Sequence, residues 1–387
     1  MASKNTLQDL IGSYNNFDEP EPAWNRPATI IGLSSVLLVL STACVIFRLY
    51  VRLFVIRSPG WDDLFVSLYL ITTISGGVSL CLAPQWGLGQ HFLVLKLDDM
   101  VSYLKVFYVT NASYNTSAAL IKISLLFQYM RIFDRGMMRM VCIFLLVMVG
   151  LWGTAYSFMA WFPCFPAQGY WDWTVRSRCY AFGSLDTDTF FATYASQTAL
   201  NMVFDILVLS VPIPMYFRKD TCHRTKLGLL GLFFMGGIVN GLSIWRLATI
   251  INHRATTKPT FDPTWYSPVS ILLGMMEVTG ASICASVPVF WPVLTARIEE
   301  ILVTREIQIT RAHRFSGDGD DRVELQHSRT GSEASLAPLG KQVHYNDDFV
   351  RDQVDPLRQK PSYAVESEIT AGGPGKQRSR TAVQAKS

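Results

Sequence analysis

Residues 140–171 read MVCIFLLVMVGLWGTAYSFMAWFPCFPAQGYW, 32 positions with no Asp, Glu, Lys or Arg. A helix crosses the hydrocarbon core of a bilayer with about 20 apolar residues. The stretch therefore holds one complete span and the start of a loop. Similar runs recur on both sides of it. Residues 27–47 make 21 uncharged positions, 64–95 make 32 and 227–245 make 19. Residues 106–121 are uncharged up to Lys122, residues 189–217 are interrupted by Asp205 alone, and 263–296 by Glu277 alone. These runs predict seven helices near 28–52, 62–82, 100–130, 137–161, 190–216, 226–251 and 268–296. The expected fold is all-α, a polytopic membrane protein with a seven-transmembrane-helix bundle over 28–297. An extracellular tail (1–27) precedes it, and a mostly disordered cytoplasmic tail (298–387) follows. Alternation of period two is absent, which excludes a membrane β-barrel.

Composition agrees. Half of the 387 residues are hydrophobic, 17% are charged and net charge is +4; mean hydropathy is +0.23. Soluble chains carry about 25% charge, so a soluble multidomain enzyme is excluded. The mild net charge gives no reason to expect nucleic acid. Seven cysteines in a chain this long make no disulfide framework. The first apolar run is too long for a signal peptide and lacks a small-residue cleavage site, so it stays as a helix. After Ser316 the chain is rich in Gly, Asp, Ser and Gln, a composition too poor in apolar surface to fold. Ile298, Ile301, Leu302 and Ile309 among Arg305, Arg311 and Arg314 suggest a surface helix on the inner leaflet or a solvated end of the last helix.

Short cytoplasmic loops are enriched in Lys and Arg. Arg48, Arg52, Arg57, Arg131, Arg135, Arg139, Arg218, Lys219, Arg224 and Lys226 fall on one side; Lys96, Arg176, Arg178, Arg254 and Lys258 fall on the other. This bias places the N-terminus outside and the C-terminus in the cytoplasm, in the plasma membrane by default. Two sequons at Asn111 and Asn115 lie inside the third span and should escape glycosylation.

Ionisable groups at membrane depth are costly and face the bundle interior. On the third helix Tyr108, Asn111, Asn115, Lys122 and Tyr129 recur at helical spacing; on the fifth, Gln197, Asn201 and Asp205 step by four. The sixth adds Asn240, Ser243 and Arg246, with Gly237 and Gly241 as an expected small-residue contact. At 1.5 Å per residue, Arg246 and Glu277 lie about 30 Å from the inner edge, and Lys122 and Asp205 lie in the inner half. Depth therefore predicts two pairs, Arg246–Glu277 and Lys122–Asp205. They either lock helices together or line a ligand or ion pathway. Pro212, Pro214, Pro288 and Pro292 are expected to kink the fifth and seventh helices.

At the cytoplasmic mouth, Pro59-Gly60-Trp61-Asp62-Asp63 opens the second helix. Both carboxylates suit a helix N-terminus, and Arg48 and Arg52 are near enough to pair with them. Outside, Gly87-Leu-Gly89-Gln-His91 precedes Asp98 and Asp99, too sparse a set for a metal site. Cys164 and Cys179 share a loop on the oxidising side, where a disulfide between them is expected, with Cys81 the rival partner.

No Walker loop, zinc-protease helix, serine-hydrolase elbow or CxxC pair occurs, so no residue is expected to be catalytic. The seventh helix has no lysine for a Schiff base, so no retinal is expected, nor any other cofactor. The expected partners are membrane lipid, a small-molecule ligand and a cytoplasmic signalling partner reading the inner loops. The favoured reading is a receptor-like protein sensing a small apolar or amphipathic molecule. The alternative is a membrane-embedded enzyme or carrier using Lys122, Asp205 and Glu277 as acid or base groups.

Several motifs carry a resemblance: Arg48-x-Tyr50-x-Arg52, Gly60-Trp61-Asp62-Asp63, Gly87-x-Gly89-x-His91, Lys122-x-Ser124-x-Leu126, Tyr129-x-Arg131-Ile132-Phe133 and Phe162-x-Cys164-x-Pro166. Trp171, Cys179, Asp205 and Glu277 also fit. The chain resembles, over about residues 28–300, the fungal rhodopsin-domain integral membrane proteins of the satratoxin-cluster type, related to fungal Pth-type receptor-like proteins. The resemblance implies seven helices, a fungal source and a receptor-like role tied to secondary metabolism.

Overall fold

The computed structural model describes residues 16, 18–133, 136–217 and 223–302. The expected tail after residue 302, including most of the candidate surface helix, and the segment before Asn16 lie outside the described residues. Among the described residues seven long helices carry the fold: α1 (Pro27–Tyr50), α2 (Trp61–Leu82), α3 (Leu97–Ile132), α4 (Met137–Trp161), α5 (Thr187–Ser210), α6 (His223–Asn252) and α7 (Pro263–Leu302). Five of them (α1, α2, α4, α6 and α7) are long and apolar enough to cross a membrane. The other two, α3 and α5, are equally long but carry the polar residues that lower their hydropathy. They can do so because those side chains turn inward.

Neighbouring helices pack in sequence, and α7 closes the ring against α1. α3 runs through the middle, touching α2, α4, α5 and α7. The inner half is filled by an apolar core that includes Val66, Leu126, Val149, Trp152, Phe204 and Ala285. Tyr129, expected on the polar stripe, is buried in this core. The outward faces expose Val36, Val39, Phe144, Leu151 and Phe234, as suits contact with acyl chains.

Two sequence expectations are corrected. α5 stops at Ser210 rather than near 216; a turn at Val211-Pro212 precedes a one-turn helix Ile213–Tyr216. Pro212 has no amide hydrogen to continue the ladder. α7, by contrast, is one continuous helix that includes Pro288 and Pro292. Gly237 and Gly241 are exposed with nothing within 4 Å of where a Cβ would stand. The close approaches are at Gly236, where a Cβ would lie 2.5 Å from Leu209, and at Gly280, where it would lie 2.6 Å from Val239.

The end of the bundle expected to face outward, called outer below, is covered by a loop between α4 and α5. Its two short strands, β1 (Cys164–Phe165) and β2 (Arg178–Cys179), pair antiparallel with Cys164 opposite Cys179. Those cysteines form a disulfide, and Cys81 remains free. A second tie joins the α2–α3 loop to the start of α7. The amide of Gly89 donates to Thr264 O at 2.9 Å, and its φ of +97° with Asn25 O only 2.1 Å from a Cβ position requires glycine there.

Candidate functional site

A cavity of about 1180 Å³ opens under the outer loop. Its walls are mainly apolar, with Leu104, Phe107, Ile271 and Met275 among them, and its mouth is framed by Tyr170 and the Cys164–Cys179 loop. At depth it meets Tyr114 of α3 and Arg246 of α6. Its other formal charges, Arg176 and Asp186, are exposed at the mouth. Asp186 caps α5, accepting the Thr189 hydroxyl at 2.6 Å and the Thr189 amide at 3.1 Å. Those hydrogen bonds hold its carboxyl below the ordinary range.

Beneath the cavity the four expected ionisable groups come together. Lys122 Nζ lies 3.0 Å from Asp205 Oδ1, and Arg246 Nη1 lies 3.6 Å from Glu277 Oε2. The structure joins the two pairs into one network, which depth counting did not anticipate. Lys122 donates to Asn201 Oδ1 at 2.7 Å. Asn201 Nδ2 donates to Glu277 and, at 3.3 Å, to Asp205. Asn201 stands one helical turn from Asp205 and so fills the vertical gap between the pairs. At the upper end Arg246 donates to the Tyr114 hydroxyl, which in turn donates to Glu277 Oε1 at 3.3 Å. The guanidinium also lies over the Tyr114 ring at 4.1 Å. Two cations and two carboxylates give a neutral cluster, which is what a low-dielectric interior tolerates.

The remaining stripe residues do other work. Tyr108 points away from the network: its hydroxyl donates to Trp161 O at 2.6 Å, and its ring packs against Trp161, Tyr170 and Trp171. It clamps α3 to α4 and the outer loop. Asn111 lines the cavity. Asn115 is buried and donates to Asn111 O at 2.9 Å within its own helix.

Arg48 is fully buried at the end of the bundle where α1 passes to α2, the end expected to face the cytoplasm. It reaches Asp62 at 2.8 Å, Asp63 at 3.9 Å and Gln128 at 3.1 Å, and donates to the Ala285 carbonyl. Arg52, on a π-helical extension of α1 (Val51–Val55), adds a contact to Asp62 at 3.3 Å. Asp63 accepts the Gly60 amide at 3.0 Å and caps α2. One arginine thus ties together α1, α2, α3 and α7.

On the outside His91 Nδ1 lies 2.7 Å from Asp262 Oδ2, and its ring stacks on Trp265 at 3.9 Å. Asp262 also accepts from Asn16 at 3.0 Å and from the Phe92 amide at 2.9 Å. This cluster seals the outer end of α7. Among the described residues no group of three His, Cys, Asp or Glu stands ready to hold a metal. Sequence reading missed Tyr114, Gln128 and Asp262. Tyr114 sits about 80° around α3 from Lys122 at 100° per residue, so the stripe passed it by.

Comparisons with known proteins place the chain. The family model described as the fungal rhodopsin domain matches residues 47–296. The SAT4 family membrane protein of Emericella nidulans is 28% identical over 56% of this chain and 52% of its own length. Satratoxin biosynthesis SC1 cluster protein 4 of Stachybotrys chartarum is 26% identical over 48% of this chain and 63% of its own. Receptor GIN3 of Arthrobotrys oligospora is 26% identical over 67% of this chain and 60% of its own. The chain thus spans between half and two thirds of these relatives. No solved structure is significantly similar. With the helices, the disulfide and a family match over most of its length in hand, the chain belongs to the fungal rhodopsin domain family and is a multi-pass membrane protein.

Proposed function

We propose that the chain is a receptor-like protein that binds a small apolar or amphipathic molecule in the outer cavity and reports it to the cytoplasm. One observation carries the reading: Arg246 and Tyr114 belong at once to the cavity wall and to the buried charge network. A molecule that moves either residue changes the contacts among α3, α5, α6 and α7. Through α7, which also accepts from Arg48 at Ala285, the shift reaches the cytoplasmic mouth. Loops between α3 and α4 and between α5 and α6 then meet a signalling partner.

Two relatives support this reading by their names: one is a receptor, the other a satratoxin biosynthesis cluster protein. Both names support a role in sensing linked to secondary metabolism. The loop charges favour the plasma membrane orientation with the N-terminus outside. The enzyme or carrier alternative fits less well, because Lys122, Asp205 and Glu277 do not line the cavity.

Deleting the gene tests the reading. A receptor leaves biosynthetic chemistry intact and alters transcription. An accumulating precursor, or final product retained inside the cell, overturns it.

A further inference from the structure

The cavity meets the network unevenly. Arg246 lines it; its counter-ion Glu277 does not. The deep wall therefore presents a cation and withholds the matching anion. Arg246 is only 6% exposed, and among the described residues its Nε has no hydrogen-bond partner and neither does Glu277 Oε2. At 3.6 Å the two are attracted but not hydrogen-bonded. Ser113, 1% exposed on the same wall, also has an unpartnered hydroxyl. Gly274 keeps the approach open, since a Cβ there would lie 3.4 Å from the Arg246 guanidinium carbon and 3.1 Å from the Tyr114 ring.

We propose that the cavity is built for an apolar molecule carrying one carboxylate, which inserts head first and takes the place of Glu277 on Arg246. This rests on the cavity being the ligand site. A guanidinium matches a carboxylate through two parallel N–H donors, and the present pair leaves that geometry unfilled. The apolar walls then enclose the rest of the molecule. Glu277, released from Arg246, takes up a proton that reaches it through the open cavity, so the buried cluster stays neutral, and it keeps its contact with Asn201, which already bonds Lys122 and Asp205. Ligand binding is in this way an exchange of counter-ions, and the exchange is what the inner half of the bundle feels.

The probe is cis-parinaric acid, a fluorescent polyene fatty acid, set against its methyl ester. Binding is read by energy transfer from tryptophan in phosphatidylcholine nanodiscs, with empty discs subtracted. Trp173 on the cavity wall is a suitable donor. The acid should saturate, with the ester at least tenfold weaker. Glu277→Gln removes the competing anion and should tighten the acid at least threefold while leaving the ester unchanged; a merely structural Glu277 would weaken both. Arg246→Gln should abolish the preference for acid over ester. Because that variant strands Glu277, the neutral double variant Arg246→Gln/Glu277→Gln is run beside it and should behave alike. Equal binding of acid and ester to the unaltered protein overturns the carboxylate assignment and leaves the cavity reading standing. Failure of both probes to saturate overturns both.

Discussion

Lys122 of α3 and Asp205 of α5 stand 3.0 Å apart in the inner half of the bundle, where lysine keeps only 3% of its side-chain surface. Removing one partner strands the other in a low-dielectric site, at about 3–5 kcal/mol, whereas replacing both with apolar side chains is often neutral. Lys122→Met should therefore lower the thermal midpoint in detergent well below that of Lys122→Met/Asp205→Leu. A double variant as unstable as the single one would show that Asn201 and Glu277 depend on both charges.

At the α1–α2 end of the bundle the two adjacent aspartates are unequal. Asp62 serves Arg48 and Arg52 together, so Asp62→Asn should cost about 3–5 kcal/mol. Asp63 mainly caps α2, and asparagine is an adequate substitute acceptor. Asp63→Asn should cost about 1 kcal/mol or less. Thermal midpoints of the two variants in one detergent decide it.

The Cys164–Cys179 bond closes a 15-residue separation over the cavity mouth. Loop-closure entropy for such a length is worth about 3 kcal/mol. Cys164→Ser/Cys179→Ser should unfold at lower temperature and bind any cavity ligand more weakly. Mass spectrometry of the unreduced protein should find these two residues linked and Cys81 alkylatable once unfolded.

Asp186 gives α5 a pH-dependent start. Its carboxyl is held below the ordinary carboxylate range by hydrogen bonds from Thr189. Since folding lowers this pKa, the cap stabilises above the ordinary carboxylate range and is lost as pH falls through the folded value. Amide exchange at Thr189 should rise at acid pH, after correction for the intrinsic rate, and Asp186→Asn should flatten that rise.

Orientation is open to a direct check. Asn111 and Asn115 should carry no glycan, and a sequon engineered near Asp172 in the outer loop should acquire one. An epitope at the C-terminus should need permeabilised cells for antibody staining. Staining of intact cells would reverse the assignment.

Much of this was legible in the sequence because burying charge is expensive. Lys122, Asp205, Arg246 and Glu277 stand out against long apolar runs, and helical rise alone put them at matching depths. Arg48 and Asp62 are near in the chain, and their pairing followed from the same logic. What the sequence hides is contact between uncharged or distant groups. Tyr114 looks like any aromatic in a span until Arg246 is brought over it. Asp262 lies 171 residues from His91, with no local pattern linking them. Gly231, Gly236, Gly237 and Gly241 share one helix, and periodicity does not say which face will meet Leu209.

The two long helices that fall short of the length-and-apolarity test for a membrane span are also those that carry Lys122 and Asp205. This has a consequence for biogenesis. When α3 leaves the ribosome its lysine has no acceptor, because Asn201 follows 79 residues later. A nascent chain stopped before α5 holds an unmatched ammonium in a segment that barely favours lipid. Lys122 therefore gains its buried partners only once α5 has been made, whereas the apolar α4 between them needs no such partner to span.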